Sequence, residues 1–217
     1  MIKRKVRPLP LTSERQINES VRTQNQKNKD RSKAMERRIA KVLRGRRIPM
    51  SGAAAQFKGD VEIPFVNFPG KYIIECKLSA QLNNRTSEPQ IRISFAWFPK
   101  MHDEAKSMAA KFAVLIVHYQ NVGNDYVFVR RDIVDKLITY YHTPFSVELI
   151  DLRDTTNVLD WRVDQKGKAR SGYNVQRREL EAGMKDVKGF KGVRVLVPDG
   201  EYLVLHLDTY SAMVSHM

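Results

Sequence analysis

Two segments decide how the chain is read: Gly59-Asp60-Val61-Glu62-Ile63-Pro64-Phe65-Val66 and, past the turn residues Asn67-Phe68-Pro69-Gly70, Lys71-Tyr72-Ile73-Ile74-Glu75-Cys76-Lys77-Leu78. Both are short, rich in β-branched and aromatic residues, and bounded by Gly and Pro, which predicts two strands over 60–66 and 71–78. Alternation along the second strand puts Ile73, Glu75 and Lys77 on one face and Tyr72, Ile74 and Cys76 on the other. A glutamate inside so apolar a run is costly unless something satisfies it. An acid and a lysine thus share a face beside a strand that starts with Asp60, and pairing of the two strands lets Asp60 and Glu75 converge. Glu62 shares a strand face with Asp60 and is an alternative to it.

Working outward, a helix is expected from about Ser32, where Met35, Ile39, Val42 and Leu43 form an apolar stripe and Gly45 offers a stop. A loop carrying Pro49, Ser51, Gly52 and three alanines joins it to the strands. Downstream, a polar loop leads into an extended segment at 91–98, then a helix over about 100–111. The apolar run 112–119 suits a strand buried on both faces. A turn at 121–125 leads to a strand at 126–130 and a short helix to about Tyr141, with Asp132 as its N-cap. The order helix, strand, strand, helix, strand, strand implies an α/β class: a mixed central β-sheet flanked by helices, over residues 31–142. A basic flexible arm, 1–30, precedes it. A C-terminal extension, 143–217, follows, with a helix at 175–188 and a hairpin of 193–197 and 201–208 around Pro198-Asp199-Gly200.

Charge narrows the partner. The 217 residues carry a formal net charge of +14, and residues 1–47 alone hold 16 Lys and Arg against 4 Asp and Glu. So concentrated a positive charge favours a polyanion. A membrane surface is disfavoured because residues 1–30 lack an amphipathic apolar face, and no apolar run reaches the ~18 residues of a membrane span. No secretory h-region opens the sequence. The single cysteine, Cys76, excludes an internal disulfide, and a reducing cytoplasm is the expected setting.

The carboxylates and lysine suit phosphodiester hydrolysis. Two carboxylates offer hard oxygen ligands to Mg2+ or Mn2+, the ion activates water and offsets developing charge, and a nearby lysine stabilises the same charge. The backbone carbonyl of Cys76 can complete the metal shell. The Cys76 thiol itself reads as a packed side chain, and His102, His118 and His142 show no metal-ligand spacing. Phe95, Trp97 and Phe98 can stack on bases or pack in the core.

Asp60 followed by Glu75-x-Lys77 resembles the PD-(D/E)XK nuclease signature, with Gly59 where that pattern often carries Pro. Glu36-Arg37 on the first helix, Arg46-Arg47, Pro49-Met50-Ser51-Gly52-Ala53, Gly59-Asp60 and Ile74-Glu75-Cys76-Lys77 are together similar in order and spacing to the archaeal-type Holliday junction resolvases. The likeness spans about residues 31–130 and leaves out the arm and the last 75 or so residues. It implies a restriction-endonuclease-like fold and a homodimer that cuts two symmetry-related strands of branched double-stranded DNA. It assigns Asp60 and Glu75 as principal metal ligands and Glu36 as the helix acid completing the site, directly or through water. Lys77 becomes the catalytic lysine, Arg37 and one of Arg46 or Arg47 phosphate contacts, and Ser51 a contact to the scissile region. Two alternatives stand beside it: another repair or restriction-type nuclease of the superfamily, and a non-catalytic DNA-binding protein.

Overall fold

The computed structural model describes residues 14–49, 59–64, 70–79, 81–82, 87–119, 123–140, 158–185 and 192–214. Helix α1 (Glu14–Val42) packs Met35, Ile39 and Ala40 into the core, with Leu43 just past its end, whereas Val42, expected in the stripe, is exposed. Strand β1 (Arg46–Arg47) follows, then β2 (Val61–Pro64) and β3 (Lys71–Ser79) as an antiparallel pair with Val61 opposite Ile74. Strands β4 (Gln81–Leu82) and β5 (Pro89–Ser94) leave the main sheet, and α2 (Trp97–Ser107) carries the chain back to β6 (Ala113–Tyr119), parallel to β3. Strand β7 (Asp125–Arg130) and α3 (Arg131–Tyr140) come next. The C-terminal region supplies β8 (Val158–Asp160), β9 (Gly172–Gln176), α4 (Arg177–Lys185), β10 (Gly192–Val197), β11 (Gly200–His206) and α5 (Leu207–Val214).

The result is an eight-stranded mixed sheet in the order β1-β2-β3-β6-β7-β11-β10-β8, with a second sheet β4-β5-β9. The main sheet separates two cores. One joins α1, α3 and α5 to the even-numbered residues of β3 and β6, such as Tyr72, Ile74, Val114 and Ile116. The other joins α2, α4, β5 and β9 to Ile73, Leu115, Val117, Phe128 and Val204. Strand β6 is apolar and buried over Ala113–Val117 because both its faces are covered there, as expected from its sequence. Each fully buried Ile or Val contributes roughly 1.5–3 kcal/mol, so these central strands hold the layers together.

Several expectations change. The first helix begins at Glu14 rather than near Ser32, so residues 14–30 are helical and not a loose arm. They are mostly polar in sequence, and pairs such as Gln24–Asn28 and Gln26–Asp30 at helical spacing support them. The region after 142 is not appended: β11 pairs with five consecutive residues of β7, from Tyr202 opposite Arg130 to His206 opposite Tyr126. The helix expected over 175–188 is present as α4 and starts at Arg177, because Val175 and Gln176 still belong to strand β9. Asp132 lies in the first turn of α3 rather than before it, and its carboxylate receives Arg130 at 2.7 Å. Gly45 also acts differently. Arg44 takes the left-handed turn, with φ of 55°, and Gly45 donates its N–H to the Ala40 carbonyl at 2.8 Å. Glycine is needed there because a Cβ would lie 2.0 Å from Ile63 Cδ1 and 2.6 Å from the Glu62 carbonyl.

Candidate active site at an open sheet edge

Strand β3 outruns its neighbour. Strand β2 pairs with Lys71–Ile74, and among the described residues no strand pairs with 75–79 on that side. Asp60 sits at this notch, just before β2 rather than within it. Its N–H donates to the Ile74 carbonyl at 2.8 Å, and its own carbonyl accepts from Ile48 at 2.9 Å. Its carboxylate Oδ2 then accepts the Cys76 N–H at 2.7 Å, where a further β2 residue would otherwise pair. Gly59 makes this placement possible with φ of 75°, a conformation closed to proline. The Gly in place of the signature's Pro therefore has a geometric reason here. Because a strand residue directs its N–H and C=O to the same side, the Cys76 carbonyl faces the open edge too.

The other site residues arrive from both faces of the sheet. Glu75 and Lys77 project on the α2 side, where Lys77 Nζ bonds the Glu75 carboxylate and lies 5.1 Å from the centre of the Trp97 ring. Glu36 comes from α1 on the opposite side, 8% exposed, and bonds the Arg47 guanidinium. The four side chains meet electrostatically at Asp60. Burial, with the charge of Glu75 next, pushes its carboxyl up to about 6; Glu36 adds to the rise, while the Cys76 N–H and Lys77 oppose it. Burial and the same three acids, together with Asp125, hold the Cys76 thiol well above its ordinary value, which keeps it protonated and inert.

The phosphate-binding expectations separate. Arg37 is exposed on α1. Arg46 is exposed as well, although its guanidinium reaches Glu62 at 2.6 Å. Arg47 is turned inward onto Glu36 and is half-buried. Ser51, with the whole of 50–58, lies outside the described residues. Glu62, the alternative to Asp60, belongs to a separate cluster with Lys71 and Arg46, which outweigh its burial and hold its carboxyl below the usual range. Of the aromatics, Phe95 and Phe98 are core residues, whereas Trp97 supports Lys77.

A network missed in the sequence lies beside the site on the α1 side. Asp125, 3% exposed at the start of β7, accepts from Arg38 at 2.7 Å and pairs with His118 Nδ1 at 2.8 Å. Arg38 and His118 outweigh its burial and hold its carboxyl below the usual range. The three residues are 87 and 7 positions apart. The only available hint was an acid following a turn and an apolar strand.

Among the described residues no three His, Cys, Asp or Glu side chains are grouped so as to hold a metal ion. Glu36 and Glu75 are bonded to Arg47 and Lys77 instead. The donor chemistry nevertheless fits a hard divalent cation. Asp60 is raised by burial first and by the charges of Glu75 and Glu36 after it, the Cys76 carbonyl faces the same edge, and both glutamates are held by flexible cationic side chains that can be exchanged for an ion. Compared with family models, curated proteins and solved structures, the chain matches none.

Proposed function

We propose that the chain is a metal-dependent, structure-selective endodeoxyribonuclease that resolves four-way DNA junctions by phosphodiester hydrolysis. The observation that supports this reading is Asp60 at the edge of β3, its carboxylate on the Cys76 N–H, with the charges of Glu75, Glu36 and Lys77 acting on it and Lys77 bonded to Glu75. Asp60, Glu75 and the Cys76 carbonyl would hold Mg2+ or Mn2+, with Glu36 completing the set directly or through water. When bound, the ion supplies an activated water and offsets charge on the transferring phosphoryl group. Lys77, kept half-buried against Trp97, places its ammonium where that charge develops. Arg47 frees Glu36 by turning to a phosphate, and Arg37 and Arg46 track the flanking backbone. A homodimer would present two such sites to the paired strands of a junction.

The experiment is cleavage of a synthetic four-way junction with Mg2+ or Mn2+, beside a linear duplex of the same sequence. Selective, symmetrical cutting of the junction is the expected result. Equal cutting of both substrates would favour another repair or restriction-type nuclease of the superfamily, a reading supported by β11, β10 and β8 completing the sheet beyond the resemblance. Binding without cutting under any divalent ion would favour a non-catalytic DNA-binding protein. Its support is the ion-paired state of Glu36 and Glu75.

A further inference from the structure

Between β8 and β9 the chain makes a tight hairpin, 161–170, in the region the resemblance leaves out. Val163 and Ala169 bridge, Arg170 N–H donates to the Arg162 carbonyl at 3.1 Å, and Asp164 N–H donates to the Lys168 carbonyl at 2.9 Å. The hairpin presents Arg162, Lys166, Lys168 and Arg170, of which Arg162 and the two lysines are exposed. Two acids offset them in part and, among the described residues, leave the two lysines without an acidic side-chain ion pair. Asp160 is bound to Arg162 at 2.7 Å. Asp164 Oδ1 accepts the backbone N–H groups of Lys166 and Lys168 at 2.8 and 2.9 Å.

The base is fixed. Trp161, 3% exposed, stacks on Tyr173 at 4.9 Å with the rings 3° from parallel, and Arg170 lies 5.2 Å over the other end of this ladder. Cations held this close on a rigid frame repel one another, an arrangement that suits a surface meeting a polyanion. Position supplies the second reason. Ser171, next to Arg170, accepts the Phe95 N–H at 3.0 Å, and two residues on from Phe95 is Trp97, the ring beneath Lys77. One hydrogen bond, two residues and a ring contact thus link the hairpin to the site lysine. Arg92 adds a further cation on the same side, 3.3 Å from Ser171 Oγ.

We infer that the hairpin 161–170 is a second DNA contact, gripping backbone phosphates of the duplex that flanks the scissile position at Lys77. The inference rests on the nuclease reading above. The test measures binding of the full chain to a labelled four-way junction across a series of NaCl concentrations, for the wild type, Lys166→Gln with Lys168→Gln, and Lys166→Arg with Lys168→Arg. The Gln pair should weaken low-salt affinity on the order of tenfold and flatten the slope of log affinity against log salt by about 1.8, roughly 0.9 per lost phosphate contact. The Arg pair should keep both. An unchanged slope in the Gln pair, with a steep wild-type slope, overturns the hairpin contact and leaves the nuclease reading standing. A wild-type chain that binds no DNA at any salt overturns both.

Discussion

Asp60 is an acid whose folded environment opposes its ionised form, and this sets a relation between stability and chemistry at one residue. Its folded pKa of about 6 lies above the unfolded value of 3.8. The native state therefore holds the proton more tightly, and Asp60 subtracts stability as pH rises from about 4 through about 6. At neutral pH, with no divalent ion present, Asp60→Asn should raise stability on the order of 1–2 kcal/mol, read as a higher Tm. Asn keeps the oxygen that accepts the Cys76 N–H. The same substitution should abolish cleavage while junction binding persists. Mg2+ should raise the wild-type Tm and leave that of the variant unmoved. A variant less stable than wild type at pH 7 would contradict the crowding of acids at the edge; a variant that still turns over would remove Asp60 from the ligand set. Asp125 has the opposite sign. Its carboxyl is held below the usual range by Arg38 and His118, so its contribution is present above the unfolded pKa and lost as pH falls through its depressed folded value.

At the level of elements, the site exists because β2 is shorter than β3. The strand pair, the shared face of Glu75 and Lys77, and the approach of Asp60 were legible from alternation alone, since a period of two leaves one choice of face once Ile73 is buried. Glu36 was legible from its place at the edge of the α1 stripe. The ends of elements were not. Nothing in Gly59-Asp60-Val61 says that the aspartate stops pairing and offers its carboxylate to Cys76, nor that Arg47 rather than Arg46 turns inward. These depend on the approach of β1 to β2 and α1, a tertiary matter. Residues 14–30 read as an arm because a mostly polar helix, with only Ile17 and Val21 as large apolar residues, has too little of a stripe to reveal it. The Arg38–Asp125–His118 network now ties α1 to the C-terminal end of β6 and the start of β7. Asp125→Ala should cost about 1–2 kcal/mol in denaturant unfolding, because it removes a buried carboxylate that ties the part-buried His118 to the more exposed Arg38. A loss under about 0.5 kcal/mol, the range of an ordinary surface change, would show that α1 is held by its apolar stripe alone. On the other face, Trp97→Ala should lower kcat more than it raises KM, since the ring orients an ammonium and contacts no substrate, whereas Trp97→Phe should retain most of the activity. The measurement is steady-state cleavage of the junction.

At the scale of the molecule, the question is whether the first 142 residues are a unit. Their sequence alone suggests one: a helix, two strands, a crossover helix and a closing hairpin account for a mixed sheet, and the 193–208 hairpin then reads as an addition. Local pattern cannot say which strand a hairpin will join, and β11 was free to pair with β10 alone. In the folded chain it pairs with five consecutive residues of β7, and its Leu203 and Leu205 enter one core while Tyr202 and Val204 enter the other. Helix α5 then lays Leu207, Tyr210 and Met213 against Tyr72, whose ring is stacked on Phe112 at 4.8 Å and meets Tyr210 edge-on at 6.4 Å. The far end of the chain therefore closes the layer that carries β3. Truncation after Tyr141 would expose the whole edge of β7, an apolar strand buried on both faces, and leave a template for pairing with other chains. The 1–141 fragment should accordingly express as aggregate or as a species without a cooperative thermal transition, even though it contains Glu36, Asp60, Glu75 and Lys77. Full-length protein should unfold in a single transition by circular dichroism. A soluble 1–141 fragment with a sharp transition and junction cleavage near the full-length rate would restore the C-terminal region to the standing of an attachment, and would require β7 to be covered some other way.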